Sequence, residues 1–433
     1  MLQVEQRSMT PPLHIGIIGA GTAGAAAALF LAQSGHQVEL FEAVPQPGPV
    51  GAGIMLQPTG QHVLDRLGLL PTIEAQGARV DRLFCRSTTG RVVLDLHYAH
   101  LDRRLIGIGL HRGALFEALF AAVQAQAGIL LHLGVTIRRI EHSSEQKRST
   151  APIVQHASLV DEFGTKYPDF DLVVVADGAS SDVAIDRPIA RSVRDYPWGA
   201  LWWVAPDPQH LFRERLYQVV QGAHTMLGLL PTGKSPTSRT TNQVTLFWSI
   251  RADQVQDFRR ADLAQWKARL LHLEPQVEPI LATIASADQL LFAKYRDVHM
   301  PRWHSGSVVW LGDAAHAMSP QLGQGANLAL LDAEALSDCL AHCGTVADGL
   351  TLYSRRRRSH LQFYQQATRM LTPFFQSDSK VLPWLRDAFM PLACRLPLGR
   401  RKMVASMCGA EQSWLPLAGP IRSPPQRLRH EKT

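Results

Sequence analysis

Gly19, Gly21 and Gly24 stand in G-x-G-x-x-G spacing within "GAGTAG", with Ala20, Thr22 and Ala23 between them. That spacing suits a backbone brought close to a pyrophosphate. The first glycine permits a tight turn, the second lets phosphates approach the main chain, and the third lets helix and strand pack closely. The N–H groups and positive dipole end of the following helix then face the anion. Glu42 closes "QVELFEA". A carboxylate there accepts hydrogen bonds from the hydroxyls of an adenosine ribose and disfavours a 2′-phosphate. A second strand-end acid, Asp313, follows "VVWLG", and a third, Asp177, follows "DLVVVA". After Pro320 comes another glycine-rich helix start, "LGQGAN", whose Gly323 and Gly325 would aim backbone donors at a ligand. A simple NAD site does not need this second grip. A longer dinucleotide such as FAD does, and a helix dipole there would stabilise the anionic reduced flavin.

These residues need elements to hold them. "LHIGIIG" reads as a buried parallel strand, "AGAAAALFLAQSG" as a helix stopped by Gly35, and "QVELFEA" as a second strand. The strand Val308 to Leu311 leads to Asp313, and a helix begins near Ala326. From about 186 to 298 the pattern changes. "ALWWVAPDP", "RLYQVVQG", "HTMLGLLPTG" and "NQVTLFWSI" read as strands separated by turn residues, joined by "RLFCRSTTGRVVLDLHY" into a mostly antiparallel sheet. Alternation puts Leu246, Trp248 and Ile250 on one face and Thr245, Phe247 and Ser249 on the other, with core packing the expected role of the aromatics. "ADLAQWKARLLHLEPQVEPILATI" and the stretch after 350 read as helices.

Composition narrows the class. The chain has 433 residues, 46% apolar and 19% charged, as in a folded protein of two or three domains. A net charge of +7 favours anionic ligands without a concentrated nucleic-acid-binding motif. The run Arg355 to Arg358 reads as a solvated helix face. Five scattered cysteines form no CxxC pair, so neither a disulfide framework nor a metal site is expected, and Cys339 and Cys343 read as buried neighbours. No signal-peptide pattern opens the chain and no apolar segment reaches membrane-span length, which makes a cytoplasmic location the expectation.

Together, "GAGTAG", "DGASSDV" and "GDAAHAMSPQLGQGAN" resemble the single-component FAD-dependent aromatic hydroxylases, the class A flavoprotein monooxygenases, over roughly residues 14 to 345. The resemblance implies that Gly19, Gly21, Gly24 and Glu42 hold the AMP half of FAD. It implies that Arg112, in "LHRGALFEAL", reaches the pyrophosphate and that Asp177 belongs to the middle motif. It places Asp313 on the ribitol or ribose, and Pro320, Gly323, Gln324, Gly325, Ala326 and Asn327 beside the isoalloxazine, with Pro320 and Gly323 facing the reacting ring. His316 reads as a scaffold residue. One departure stands out. Ala184 occupies the place of an arginine associated with pyridine-nucleotide use, for which Arg187 or Arg191 could substitute. Thr59 also replaces a commoner asparagine.

The expected architecture is α/β, with a Rossmann-like FAD-binding domain (13–80, 102–185 and 299–345) interleaved with a substrate domain (81–101 and 186–298). A helical region, 346–415, and a disordered tail, 416–433, follow, and "EHSSEQKRSTAP" reads as a polar hairpin loop. The implied activity is hydroxylation of an aromatic or apolar ring with NADH or NADPH and O₂, through a flavin C4a-hydroperoxide. Only one complete fingerprint is present, so the nicotinamide would bind transiently. Rivals are a flavin-dependent halogenase, an FAD-linked reductase or a non-catalytic redox sensor. "LWWVAPDP" is not the Trp-x-Trp-x-Ile-Pro of halogenases, and no metal is called for.

Overall fold

The structure, a computed structural model, describes residues 11–49, 51–144, 155–187, 189–207, 209–236 and 238–414. Its first sheet runs, in spatial order, His304–Ser305, Val308–Trp310, Leu172–Val175, His14–Ile18, Gln37–Glu42 and Ile129–Leu133. All neighbours are parallel except the edge pair His304–Ser305 with Val308–Trp310. Ile15, Ile17, Val173, Val174 and Val308 are completely buried, because helix Thr22–Gln33 covers one face and a small antiparallel sheet, through Leu159 and Phe170, covers the other. That is why these strands read as unbroken apolar runs. Parallel pairing has a functional consequence: the segments carrying Gly19, Glu42, Asp177 and Asp313 all emerge at one edge of the sheet. Helix Thr22–Gln33 is buried from Ala23 to Ala32. Its alanines let it lie against helix Gly325–Ala341, where Ser34 and Ser337 hydroxyls meet at 3.0 Å.

The second sheet has seven strands in the order Leu291–His299, Ser192–Pro206, Ser238–Arg251, Thr225–Ser235, Arg215–Gln221, Arg82–Ser87 and Val92–His97. Every pairing is antiparallel except Arg215–Gln221 with Arg82–Ser87. The alternation read from the sequence has a structural meaning. Leu246, Trp248 and Ile250 pack with Trp266, Leu270 and Ile280 on the outer helices. Thr245 and Phe247 look the other way, Thr245 toward Thr232 and Phe247 toward Trp202 and Phe375. A small sheet of Gly53–Leu56, Gly107–His111 and Ala78–Val80 joins the two layers. The join is backbone against backbone: a Cβ on Gly109 would lie 1.9 Å from the Pro231 carbonyl oxygen.

Helices Val346–Phe375, Leu382–Arg395 and Pro397–Met407 complete the described chain. The long one corrects the arginine run. Arg355, Arg356 and Arg358 are exposed, but Arg357 is buried, since it shares the inward face with Tyr353, His360 and Leu361 at helical spacing. The expected polar loop is shorter at its start, because Glu141–Ser144 belong to strand Ile137–Ser144, which pairs with Gln155–Asp161. Its remainder at 145–152 and the tail 416–433 lie outside the described residues.

Candidate cofactor site

The first turn is fixed by contacts only glycine allows. Gly19 has φ +94°, and a Cβ there would sit 2.7 Å from the Ala176 carbonyl oxygen. A Cβ on Gly24 would come within 1.9 Å of the Gly19 oxygen. Gly21 is different: among the described residues nothing lies within 4 Å of its Cβ position. It caps the buried helix without a side-chain hydrogen bond, so the end is open to an anion. Glu42 Oε2 accepts from Ala20 N at 2.9 Å and Oε1 from Val44 N at 3.0 Å. The acid therefore braces the turn and keeps lone pairs for ribose hydroxyls.

The other strand ends converge. Gly312 has φ +58° and packs so closely that its Cβ would be 2.9 Å from that of Ala23. This puts Asp313, exposed, at the first position of a short helix, Asp313–His316. A Cβ on Gly325 would lie 3.8 Å from Asp313 Oδ1, so the second acid faces the second helix start. Gly323 adopts a left-handed conformation, and its nearest neighbour beyond the turn is Met55 Cβ at 3.7 Å from the Cβ position. Pro320 is exposed and Ala326 half-buried beside it. Asp177 is half-buried; burial pushes its carboxyl above the usual range while the Ser181 hydroxyl opposes this, and Oδ1 has no partner among the described residues. An orphaned acceptor, open glycines and bare helix starts at one sheet edge are what a ligand rich in hydroxyls and phosphates requires, so these residues fit FAD. Thr22 and Ala23 open the first helix. Arg112 opens helix Arg112–Ala125; its side chain is exposed and lies along Gly51.

Two sequence assignments are refined. The Asn327 side chain is fully buried: Oδ1 accepts from Gln57 N at 2.8 Å, and Nδ2 donates to the Met55 and Gly323 oxygens at 3.0 and 3.1 Å. It fixes the turn from behind. Gln324 donates to Met407 O at 2.8 Å, so its side chain also points away from the opening, toward the C-terminal helix. Thr59 belongs to the same contact, donating to Cys408 O at 3.1 Å. Ala184 is exposed, and Arg191 does not stand in as a free cation. Its guanidinium donates to the Ala314, Ser181 and Ala179 oxygens at 3.0, 3.1 and 3.1 Å, tying the Asp177 loop to the Asp313 loop.

The sequence reading missed the polar chain beneath the site. Asp332 Oδ2 accepts from Gly312 N at 3.0 Å and from His316 Nε2 at 2.5 Å, and Oδ1 accepts from Arg357 Nε at 2.8 Å. Arg357 continues to His360 Nδ1 at 2.6 Å, and His360 Nε2 donates to Gly409 O at 2.8 Å. Burial alone would raise the Asp332 carboxyl, but His316 and Arg357 outweigh it and hold it well below the ordinary range. The signal was two acids, Asp332 and Glu334, in the apolar stretch "LALLDAEAL". Burial, with the neighbouring Arg357 charge, pushes His360 down to about 3. An unfolded histidine takes up its proton near pH 6.5 and the folded one does not, so this group stabilises the fold fully above 6.5 and progressively less toward pH 3. His360→Gln should therefore flatten the decline in urea-unfolding free energy between pH 7 and 4 by up to about 1.4 kcal/mol per pH unit. Parallel curves for both proteins would mean that His360 takes up its proton as readily in the folded state as in the unfolded one.

A parallel sheet with one fingerprint turn, a second gripping helix start and an interleaved antiparallel sheet defines an FAD-dependent oxidoreductase of the monooxygenase class. Residues 13–368 match the FAD binding domain family, and the chain belongs to it. It is 28% identical over 84% of its length to the 3-amino-4-hydroxybenzoate 2-monooxygenase of Streptomyces cremeus, 89% of which is covered. It is also 28% identical to the 2-heptyl-3-hydroxy-4(1H)-quinolone synthase of Pseudomonas aeruginosa, over 87% of this chain and 93% of that one. The crystal structure of a probable FAD-dependent monooxygenase from Pseudomonas aeruginosa superimposes with a TM-score of 0.71 at 22% identity, covering 88% of this chain and 99% of that one. The protein is an FAD-dependent monooxygenase.

Proposed function

We propose that this enzyme hydroxylates a planar aromatic or other electron-rich apolar ring, using NADH or NADPH and O₂. The observation that carries the reading is the open turn at Gly323, joined through Met55 to an apolar cluster shared by the small sheet and the second sheet. Met55 clusters there with Val80 and Leu230, and Leu216 packs against them. Thr232 and Thr245 hydroxyls, 3.3 Å apart, stand beside Gly53 at the edge of this face. Bound FAD supplies the oxygen-activating chemistry. The chain's share is to grip the two ends of the cofactor, orient a flat ring over Met55 and Leu230, and keep water from the reacting face. The segments 13–80, 102–185 and 299–345 serve as the FAD-binding part, and 81–101 with 186–298 as the substrate part. Gly19, Ala20, Gly21, Thr22, Ala23, Gly24, Glu42, Arg112, Asp177 and Asp313 hold the cofactor, with Pro320 and Gly323 to Asn327 behind its ring. A cytoplasmic location suits this use of soluble cosubstrates; among the described residues no helix is long and apolar enough to cross a membrane.

The nicotinamide needs its own approach, and Arg191 is committed elsewhere. A cavity of about 410 Å³ adjoins the flavin-facing loop, with Arg194, Tyr196, Trp198 and Gln376 among its walls, beside Arg369, which is paired with Asp297. Gln376 links the loop to the sheet: it accepts from Gln321 at 3.0 Å and donates to Gly199 O at 3.2 Å. This cavity is our proposed docking place for the pyridine nucleotide. The test of the function is NAD(P)H oxidation, expected to be slow alone and faster with an aromatic substrate. If flavin reduction runs equally fast with and without every compound the enzyme turns over, substrate does not gate the reaction.

A further inference from the structure

Helix Leu382–Arg395 is turned inside out. One of its two arginines, Arg386, is 1% exposed and donates to the Gly222 and Phe374 oxygens at 2.8 and 3.0 Å. Its tryptophan, Trp384, is 81% exposed, and Phe389 is 63% exposed. With Val381, Leu385, Leu392 and Leu396, all exposed, these side chains fall within an arc of about 140° at helical spacing. Scattered exposed apolar residues are ordinary, but a contiguous stripe marks an interaction surface. The opposite side, with Met390 and Cys394, packs on the apolar cluster of Phe247 and Phe375, so the helix is anchored to the substrate sheet.

The charges around the stripe identify what covers it. The acids nearby are all paired: Asp378 with Arg251, Asp387 with Arg386, and Glu411 with Lys402. Lys380 at one end and Arg395, Arg400 and Arg401 at the other have no acidic partner among the described residues. A second copy related by a two-fold axis would bring cationic rim against cationic rim. A bilayer with anionic headgroups offers the reverse, acyl chains for the stripe and negative charge for the rim. An exposed tryptophan suits that boundary. The helix has 14 residues, about 21 Å, too short to span.

We propose that this helix docks the protein in the plane of an anionic membrane surface, apolar face down. The test is co-flotation of the full-length, FAD-loaded protein with phosphatidylcholine vesicles, with and without phosphatidylglycerol. The protein should float with the anionic vesicles and be released by salt. The double variant Trp384→Asp with Phe389→Asp, both at exposed positions, should keep its FAD content and thermal midpoint yet lose at least about tenfold in partitioning. Arg395→Glu with Arg401→Glu should lose roughly fivefold or more per residue on anionic vesicles only. Wild-type protein that stays unbound with both vesicle types overturns the proposal. So does a double variant that floats as well as wild type. Light scattering that shows a dimer dissolved by Trp384→Asp with Phe389→Asp, without flotation of either protein, assigns the stripe to a second copy instead.

Discussion

Gly24→Ala is expected to leave the protein without FAD, and to do so by damaging the fold rather than the ligand's contacts. The added methyl would sit 1.9 Å from the Gly19 carbonyl oxygen, which is backbone and cannot swing aside. The helix must then back away from the strand whose end it covers. Overpacking of this kind costs about 1–3 kcal/mol and more when rigid atoms collide, so the apoprotein itself should melt earlier. Gly21→Ala is the contrasting variant. Its methyl meets no atom of the described residues within 4 Å, and the residue has φ −69°, which alanine adopts freely. The apoprotein should melt where wild type does, while FAD affinity falls tenfold or more, about 1.4 kcal/mol, because the methyl occupies space the pyrophosphate needs. Thermal melts of the apoproteins and fluorescence titration with FAD separate the two effects. Equal apoprotein melts for all three proteins would mean that helix and strand are not in contact through Gly24.

Arg357→Met should be the most damaging change in the arginine run. It removes the guanidinium partner of a buried carboxylate, and breaking such a pair costs about 3–5 kcal/mol. Asp332 would keep only Gly312 N and His316, and His360 would lose the donor at Nδ1. Because Gly312 precedes Asp313, weakened FAD binding should accompany the lost stability. Arg355→Met and Arg358→Met touch exposed positions and should fall within about 0.5 kcal/mol of wild type. Combining Asp332→Asn with Arg357→Met should cost less than the sum of the two single changes, since both remove the same interaction. Urea denaturation of the five variants provides the comparison. Equal stability for the Arg355, Arg357 and Arg358 variants would return the whole run to solvent.

The contrast between these residues shows where the sequence is transparent. The fingerprint turn was legible because its chemistry is local: glycine spacing, a preceding buried strand and an acid at the next strand end follow from a few consecutive residues. The two sheet faces were legible too, since alternation in "TLFWSI" is a local period. What covered those faces was not, and Phe247 meets Phe375 only after a long excursion of the chain. Arg357 looked solvated because a run of four like charges hides the helical phase, while Asp332 finds its partners on other segments. Asn327 and Gln324 sit in a motif that points to the cofactor, yet their side chains turn backward to hold the turn in place. Arg191 is a clamp for the same reason: its acceptors are backbone oxygens, which no side-chain pattern announces.

The central claim is that this chain places one atom of dioxygen on an apolar ring. Turnover under ¹⁸O₂, with NADH or NADPH and an aromatic compound that accelerates flavin reduction, tests it directly by mass spectrometry of the product. One ¹⁸O atom per product molecule is the expected result, with none taken from H₂¹⁸O in the reciprocal experiment. A product labelled by water and not by ¹⁸O₂ would contradict the monooxygenase account, even if the protein binds FAD as described.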